Sequence, residues 1–104
     1  MENNQELQEM QLLDQNLHNI MLQKQSFEME LSETKSAIAE IEKSGDVFKL
    51  IGDLLIRKDK DKAKSELVDK EKILEMRIRS VEKQEEALSK RLEELREKLS
   101  KSAK

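Results

Sequence analysis

His18 is the only histidine in this 104-residue sequence, and there is no cysteine. It lies next to Leu17 in a stretch with helical apolar spacing, which makes it a surface helix residue rather than a general base or a metal ligand. The carboxylate pairs Glu85-Glu86 and Glu93-Glu94 are sequence neighbours. Adjacent residues diverge on a helix, so these pairs cannot converge on one reacting atom. Asp59-Lys60-Asp61-Lys62-Ala63 opens like a calcium loop. It has alanine at the fifth position, no glycine at the sixth and Lys70 where a bidentate glutamate belongs. Gly45 and Gly52 are too isolated for a phosphate-cradling loop. Arg57, Lys58, Lys60, Lys62 and Lys64 form a basic run, but Asp59 and Asp61 interrupt it and no aromatic residue is there to stack a base. The expectation is no enzyme, no catalytic residue, no metal site and no cofactor.

Composition says what such a chain does instead. Charged residues make up 41% and aromatics 2%, and there is no proline. Two phenylalanines cannot anchor a compact globular core, and the Glu/Lys/Leu/Gln bias belongs to long helices or coiled coil. Residues 1–43 carry nine acids and three bases, whereas residues 61–104 carry eleven acids and thirteen bases. An acidic first arm and a slightly basic second arm favour pairing with each other and leave no basic stripe for nucleic acid. The N-terminal residues lack the basic and apolar blocks of a signal peptide. No apolar run reaches membrane-spanning length. A soluble cytoplasmic protein, with neither nucleic acid nor membrane as partner, is expected.

The arms are two heptad seams. Positions 10, 13, 17, 20, 24, 27, 31, 34, 38 and 41 read Met, Leu, Leu, Ile, Lys, Phe, Leu, Thr, Ile, Ile. Positions 67, 71, 74, 78, 81, 85, 88, 92, 95 and 99 read Leu, Glu, Leu, Ile, Val, Glu, Leu, Leu, Leu, Leu. Alternating steps of three and four sustained this long are the signature of a coiled coil. The first helix is expected over 1–44, ended by Lys43 and a left-handed Gly45, and the second over 61–102, capped by Asp59 or Asp61. Folding the seams antiparallel sets Met10 against Leu99, Leu13 against Leu95, Leu17 against Leu92 and Ile20 against Leu88. Lys24 then meets Glu85 as one opposite-charge layer.

Between the arms, Val47-Phe48-Lys49-Leu50-Ile51 and Leu54-Leu55-Ile56-Arg57-Lys58 flank Gly52-Asp53. Two short β-prone runs around such a dipeptide predict a hairpin over 47–58 with a two-residue I′ or II′ turn. One face carries Val47, Lys49, Ile51, Leu54, Ile56 and Lys58, and the other Phe48, Leu50, Leu55 and Arg57. Apolar residues on both faces, with both edges free, call for strand addition between chains to close a barrel. Val47, Phe48, Leu50, Ile51, Leu54, Leu55 and Ile56 are the expected oligomerisation residues. The fold class is mainly α: a long antiparallel two-helix coiled coil with a central β-hairpin that assembles into an intersubunit β-barrel. The chain reads as a single domain over 1–104. Further apolar residues lie off the seams at Leu7, Leu12, Met21, Leu22, Met29, Ile73 and Met76. Five of those seven fall in the first 29 residues, toward the free ends of the arms.

Three segments carry a family resemblance. They are Leu22-Gln23-Lys24-Gln25 leading into Phe27-Glu28-Met29-Glu30-Leu31, the hairpin Val47–Ile56, and Leu74-Glu75-Met76-Arg77-Ile78-Arg79-Ser80-Val81-Glu82-Lys83-Gln84-Glu85-Glu86. With one hairpin between two helical arms, the chain resembles the β-type subunit of prefoldin as found in archaea. The resemblance implies an ATP-independent chaperone, a holdase that grips unfolded proteins at its coiled-coil tips and hands them to a group II chaperonin. It also implies two α-type and four β-type subunits joined through their hairpins. On that basis Leu7, Met10, Leu13, Leu17, Leu92, Leu95 and Leu99 are the expected client-binding residues. The competing expectation is an assembly coiled coil that oligomerises through the hairpin and binds no client.

Overall fold

A computed structural model of the chain describes residues 2–102. Its element order is α1 (Glu2–Lys43), β1 (Val47–Ile51), β2 (Leu54–Lys58) and α2 (Lys60–Ser102). Neither helix contains glycine or proline, and their glutamate, glutamine, leucine and lysine content is that of strong helix formers.

Short-range hydrogen bonds set the element ends. The Ser44 amide donates to the Ile41 carbonyl at 3.2 Å, which tightens the last turn of α1. The Ser44 hydroxyl then bonds the Asp46 carbonyl at 2.7 Å. Gly45 does not take the left-handed conformation expected of it, since Gly52 is the only residue described with positive φ. The serine supplies the stop that the glycine was expected to supply. Lys60 closes the same corner, its ammonium donating to the Ser44 carbonyl at 2.8 Å. Of the two candidate caps for α2, Asp59 is the one used. Its carboxylate accepts the Lys62 amide at 3.2 Å, and its carbonyl accepts the Ala63 amide at 2.9 Å.

The strands pair antiparallel as Val47↔Lys58, Phe48↔Arg57, Lys49↔Ile56, Leu50↔Leu55 and Ile51↔Leu54. Opposed residues share a face, so this register yields the two faces expected from the sequence. Gly52 sits at φ 58°, while Asp53 has no positive φ. Positive φ at the first central residue alone selects the II′ turn over I′.

The molecule divides into two compact units. One joins residues 1–26 to residues 78–104, and the other holds residues 27–77 with the hairpin. Within each unit the seam positions are buried or half-buried, including Lys24, Thr34, Glu71 and Glu85. In the first unit Leu13, Leu92 and Leu95 form the core, packed by Met10, Leu17 and Leu88. In the second unit Leu74 is fully enclosed and Ala63 is buried. Thr34 is buried as well, and its hydroxyl donates to the Glu30 carbonyl one turn back at 2.8 Å, so the seam holds no unsatisfied polar atom there.

The cross-helix ion pairs revise the register. In the first unit Glu6 meets Lys98 at 2.9 Å and Glu9 meets Arg91 at 2.9 Å. Lys24 reaches Glu85 as expected, but it shares itself with Glu82, both at 3.5 Å. In the second unit Glu30 meets Lys70 at 3.1 Å and Glu42 meets Lys64 at 2.8 Å. Taken together, the partners on α2 lie nearer the hairpin than the expected layers allow. They centre on the neighbouring register, one seam step away, in which Leu13 lies opposite Leu92 and Leu17 opposite Leu88. The core membership agrees, since it takes in Leu88.

Candidate functional site

The first candidate surface is the hairpin. A two-stranded ribbon buries nothing by itself, and this one puts apolar side chains on both faces. Phe48, Leu50, Ile51, Leu54, Leu55 and Ile56 are each between 46% and 70% exposed, while Val47 is half-buried at the base. Among the described residues no third strand pairs with the backbone edges of β1 and β2. Fully burying one such side chain is worth roughly 1.5–3 kcal/mol, so six of them together represent a large unspent driving force for association. The hairpin base is held by Arg57, which pairs with Asp46 at 2.9 Å, and by Lys58, which pairs with Glu66. The Lys58 ammonium holds the Glu66 carboxyl below its ordinary range. Below the hairpin lies a groove of about 610 Å³, lined by Ala37, Ile41, Val47, Phe48, Ala63 and Leu67 and edged by charged residues. No sequence pattern flags this groove, because its lining comes from both helices and both strands.

The second candidate surface lies in the unit formed by residues 1–26 and 78–104. The seven residues expected to bind clients divide by accessibility. Leu7 is 48% exposed, Met10, Leu17 and Leu99 are half-buried, and Leu13, Leu92 and Leu95 are buried between the helices. The buried three hold α1 and α2 together and present no surface in this conformation. Leu12, Met21 and Leu22 are exposed. Glu6 is a seam residue that the sequence pattern hid, with a side chain only 13% exposed. It extends the three-four spacing one step before Met10, and its polarity masked that position.

Electrostatics in this unit come from cross-helix pairs. The Arg91 guanidinium donates to both carboxylate oxygens of Glu9, at 2.9 and 3.2 Å, and this hydrogen bonding holds the Glu9 carboxyl below its ordinary range. The same contact raises Arg91. Partial desolvation pulls Lys24 down, but the charges of Glu85 and Glu82 outweigh it, and the amine is raised overall. Among the described residues no cluster of three or more His, Cys, Asp or Glu side chains could hold a metal ion. None of the described helices is long and apolar enough to cross a membrane.

The comparisons with known proteins agree with this arrangement. The model of the prefoldin subunit family matches residues 4–104. The chain is 40% identical to a prefoldin subunit beta of Pyrobaculum calidifontis over 88 residues, which is 82% of this chain and 70% of that one. It is also 40% identical to the prefoldin subunit beta of Thermococcus onnurineus, over 82% of this chain and 76% of that one. The crystal structure of the prefoldin beta subunit from Thermococcus strain KS-1 superposes with a TM-score of 0.89 at 34% identity. That match covers 97% of this chain and 91% of that chain. The chain belongs to the prefoldin β-subunit family. Prefoldin β subunits are chaperone subunits that assemble with other prefoldin subunits into a hexamer.

Proposed function

We propose that this chain is the β-type subunit of an ATP-independent holdase, with the hairpin for assembly and the far ends of the helices for clients. The single observation that carries the assembly half is the exposure of apolar residues on both hairpin faces. Phe48, Leu50 and Leu55 on one face, and Val47, Ile51, Leu54 and Ile56 on the other, become buried when hairpins of neighbouring subunits close a barrel. Two α-type and four β-type subunits complete the complex, which hands unfolded proteins to a group II chaperonin in the cytoplasm. The whole chain, 1–104, acts as one domain.

The client surface consists of Leu7 and the half-buried Met10, Leu17 and Leu99. Leu13, Leu92 and Leu95 contribute when the helices part at that end. Many weak apolar contacts from several subunits sum by avidity. The test is aggregation of a chemically denatured protein in the presence of the complex assembled with an α-type subunit. A chain lacking residues 1–16 and 91–104 is expected to assemble and to lose protection. Unchanged protection by that truncated complex defeats the client site and leaves the hairpin assembly standing.

A further inference from the structure

The cross-helix ion pairs have a consistent polarity. In the unit of residues 1–26 and 78–104, α1 supplies Glu6 and Glu9 while α2 supplies Lys98 and Arg91. In the unit of residues 27–77, α1 supplies Glu30 and Glu42 while α2 supplies Lys70 and Lys64. Glu9 and Glu30 are three heptads apart, and so are Lys70 and Arg91, so each pair occupies one flank of its own helix. The exception is Lys24, a base on α1, and it sits in the seam against Glu82 and Glu85.

We propose that this charge pattern selects against like-with-like pairing of arms between copies of the chain, so that each α1 stays with an α2. An apolar heptad seam does not discriminate by itself. The leucines and isoleucines of α1 would pack as well against a second α1 as against α2. Charge supplies the difference in both orientations. In an antiparallel α1·α1 pair, the flank carrying Glu9 and Glu30 faces the same acidic flank of the other copy. In an antiparallel α2·α2 pair, Lys70 and Arg91 face their own kind. In parallel pairs the seam itself objects. Lys24 lies against the other Lys24, Glu71 against Glu71 and Glu85 against Glu85, each like charge partly desolvated. Only the α1·α2 combination satisfies flank and seam together. Exposed ion pairs stabilise a fold weakly, so the role of this pattern is to penalise wrong partners rather than to strengthen the right one. It rests on the proposed hairpin assembly only in that assembly brings several identical arms within reach.

The sequence contains no cysteine, which permits a clean test. Asn16→Cys places one thiol on an exposed position of α1. The full chain carrying it is treated with a short bis-maleimide, and cross-linked dimer is quantified. With native charges, α1-to-α1 dimer stays at the level set by random collision. Adding Glu9→Gln, Lys24→Leu and Glu30→Gln removes the penalties while keeping the apolar seam. Dimer is then expected to rise about tenfold, the factor corresponding to about 1.4 kcal/mol. No rise in a variant of native helix content overturns the proposal. A second arm covers loss of fold. Glu9→Lys and Arg91→Glu are each expected to lower the melting temperature, and their combination to recover it. Absence of recovery also overturns the proposal. Native mass measured in parallel reports hairpin assembly, so failure of that reading is seen separately.

Discussion

Leu50→Asp is the sharpest perturbation of the hairpin, because the isolated chain gives this side chain nothing to lose. Leu50 is 67% exposed, stands opposite Leu55 and does not line the groove beneath the hairpin. A surface substitution of this kind changes the stability of the chain by about 0.5 kcal/mol or less. In the proposed assembly the same position is buried between subunits. Burying the two-thirds of a leucine still exposed is worth about 1–2 kcal/mol, taken from roughly 1.5–3 kcal/mol for the whole side chain. An unpaired carboxylate carried into that site costs several kcal/mol more. The combined loss of about 4 kcal/mol per contact is about a thousandfold in the association constant.

Native mass and sedimentation with an α-type subunit measure the assembly, and circular dichroism measures the arms. Leu50→Asp is expected to leave helix content unchanged and to abolish the complex, with loss of aggregation suppression following from dissociation. Leu50→Asp combined with Leu55→Lys sharpens the test. The two charges face each other across the strands and support the hairpin, but an interface still has to desolvate them, so the complex stays dissociated. A Leu50→Asp chain that assembles at native mass refutes the reasoning. So does one that loses its helices, because the hairpin would then be holding the arms rather than joining the subunits.

Three further outcomes follow from local geometry. Gly52→Ala meets no atom within 4 Å of its new Cβ, but it must hold φ at 58°. The cost is therefore conformational, about 1–2 kcal/mol, read as a weakened complex with intact helices. Leu95→Ala removes a side chain that is 1% exposed and is expected to destabilise the chain by about 2–5 kcal/mol, measured by thermal unfolding. Glu9, Glu42 and Glu66 all have carboxyl pKa values lowered by cationic partners. Their contribution is thus present above the ordinary carboxylate range and is lost as pH falls through the depressed values. Acid melts are expected to show this loss, and Glu9→Gln to make it smaller.

The hairpin was the most legible part of the sequence. Two β-prone runs around Gly52-Asp53 specify strands, faces and a two-residue loop, and the φ of Gly52 adds only the choice of II′ over I′. The seams were legible as well, down to the polar layer at Lys24, because burial follows the three-four spacing even where the residue is charged. Accessibility was not legible. Leu7 and Leu95 are both leucines near an arm's free end, and no composition rule separates an exposed one from a fully enclosed one. That difference depends on the helix facing each of them. The place where α1 ends was legible, at Lys43 and Ser44, but what stops it there was not. Gly45 is a good helix stop in isolation, but Ser44 reaches its bonds to Ile41 and Asp46 first.

The register shows most clearly what a periodic sequence leaves open. A heptad seam presents an apolar residue every three or four positions, so sliding one helix by a single seam step returns leucine to leucine. Leu13 accepts Leu95 or Leu92 with equal apolar area, and pattern matching has no energy with which to choose. Charged residues break this degeneracy because they recur more sparsely. Lys24 alone fits either choice, since Glu82 and Glu85 stand one on each side of the ambiguity. Glu6 and Glu9 do not: in the expected register their partners Lys98 and Arg91 lie too far toward the hairpin. Near the hairpin a second constraint applies independently. The strand pairing Val47↔Lys58 and the short connections at Ser44 and Asp59 fix which residues of α1 and α2 start level. Glu42 with Lys64 and Glu30 with Lys70 agree with that start. Register in such an arm is therefore set at the turn and proofread by flank charges, while the apolar seam supplies adhesion without address. A variant that keeps the seam and scrambles the flank pairs should stay helical and lose its unique register, visible as doubled amide resonances for residues 6–24. A single set of resonances in that variant would show that the turn alone suffices.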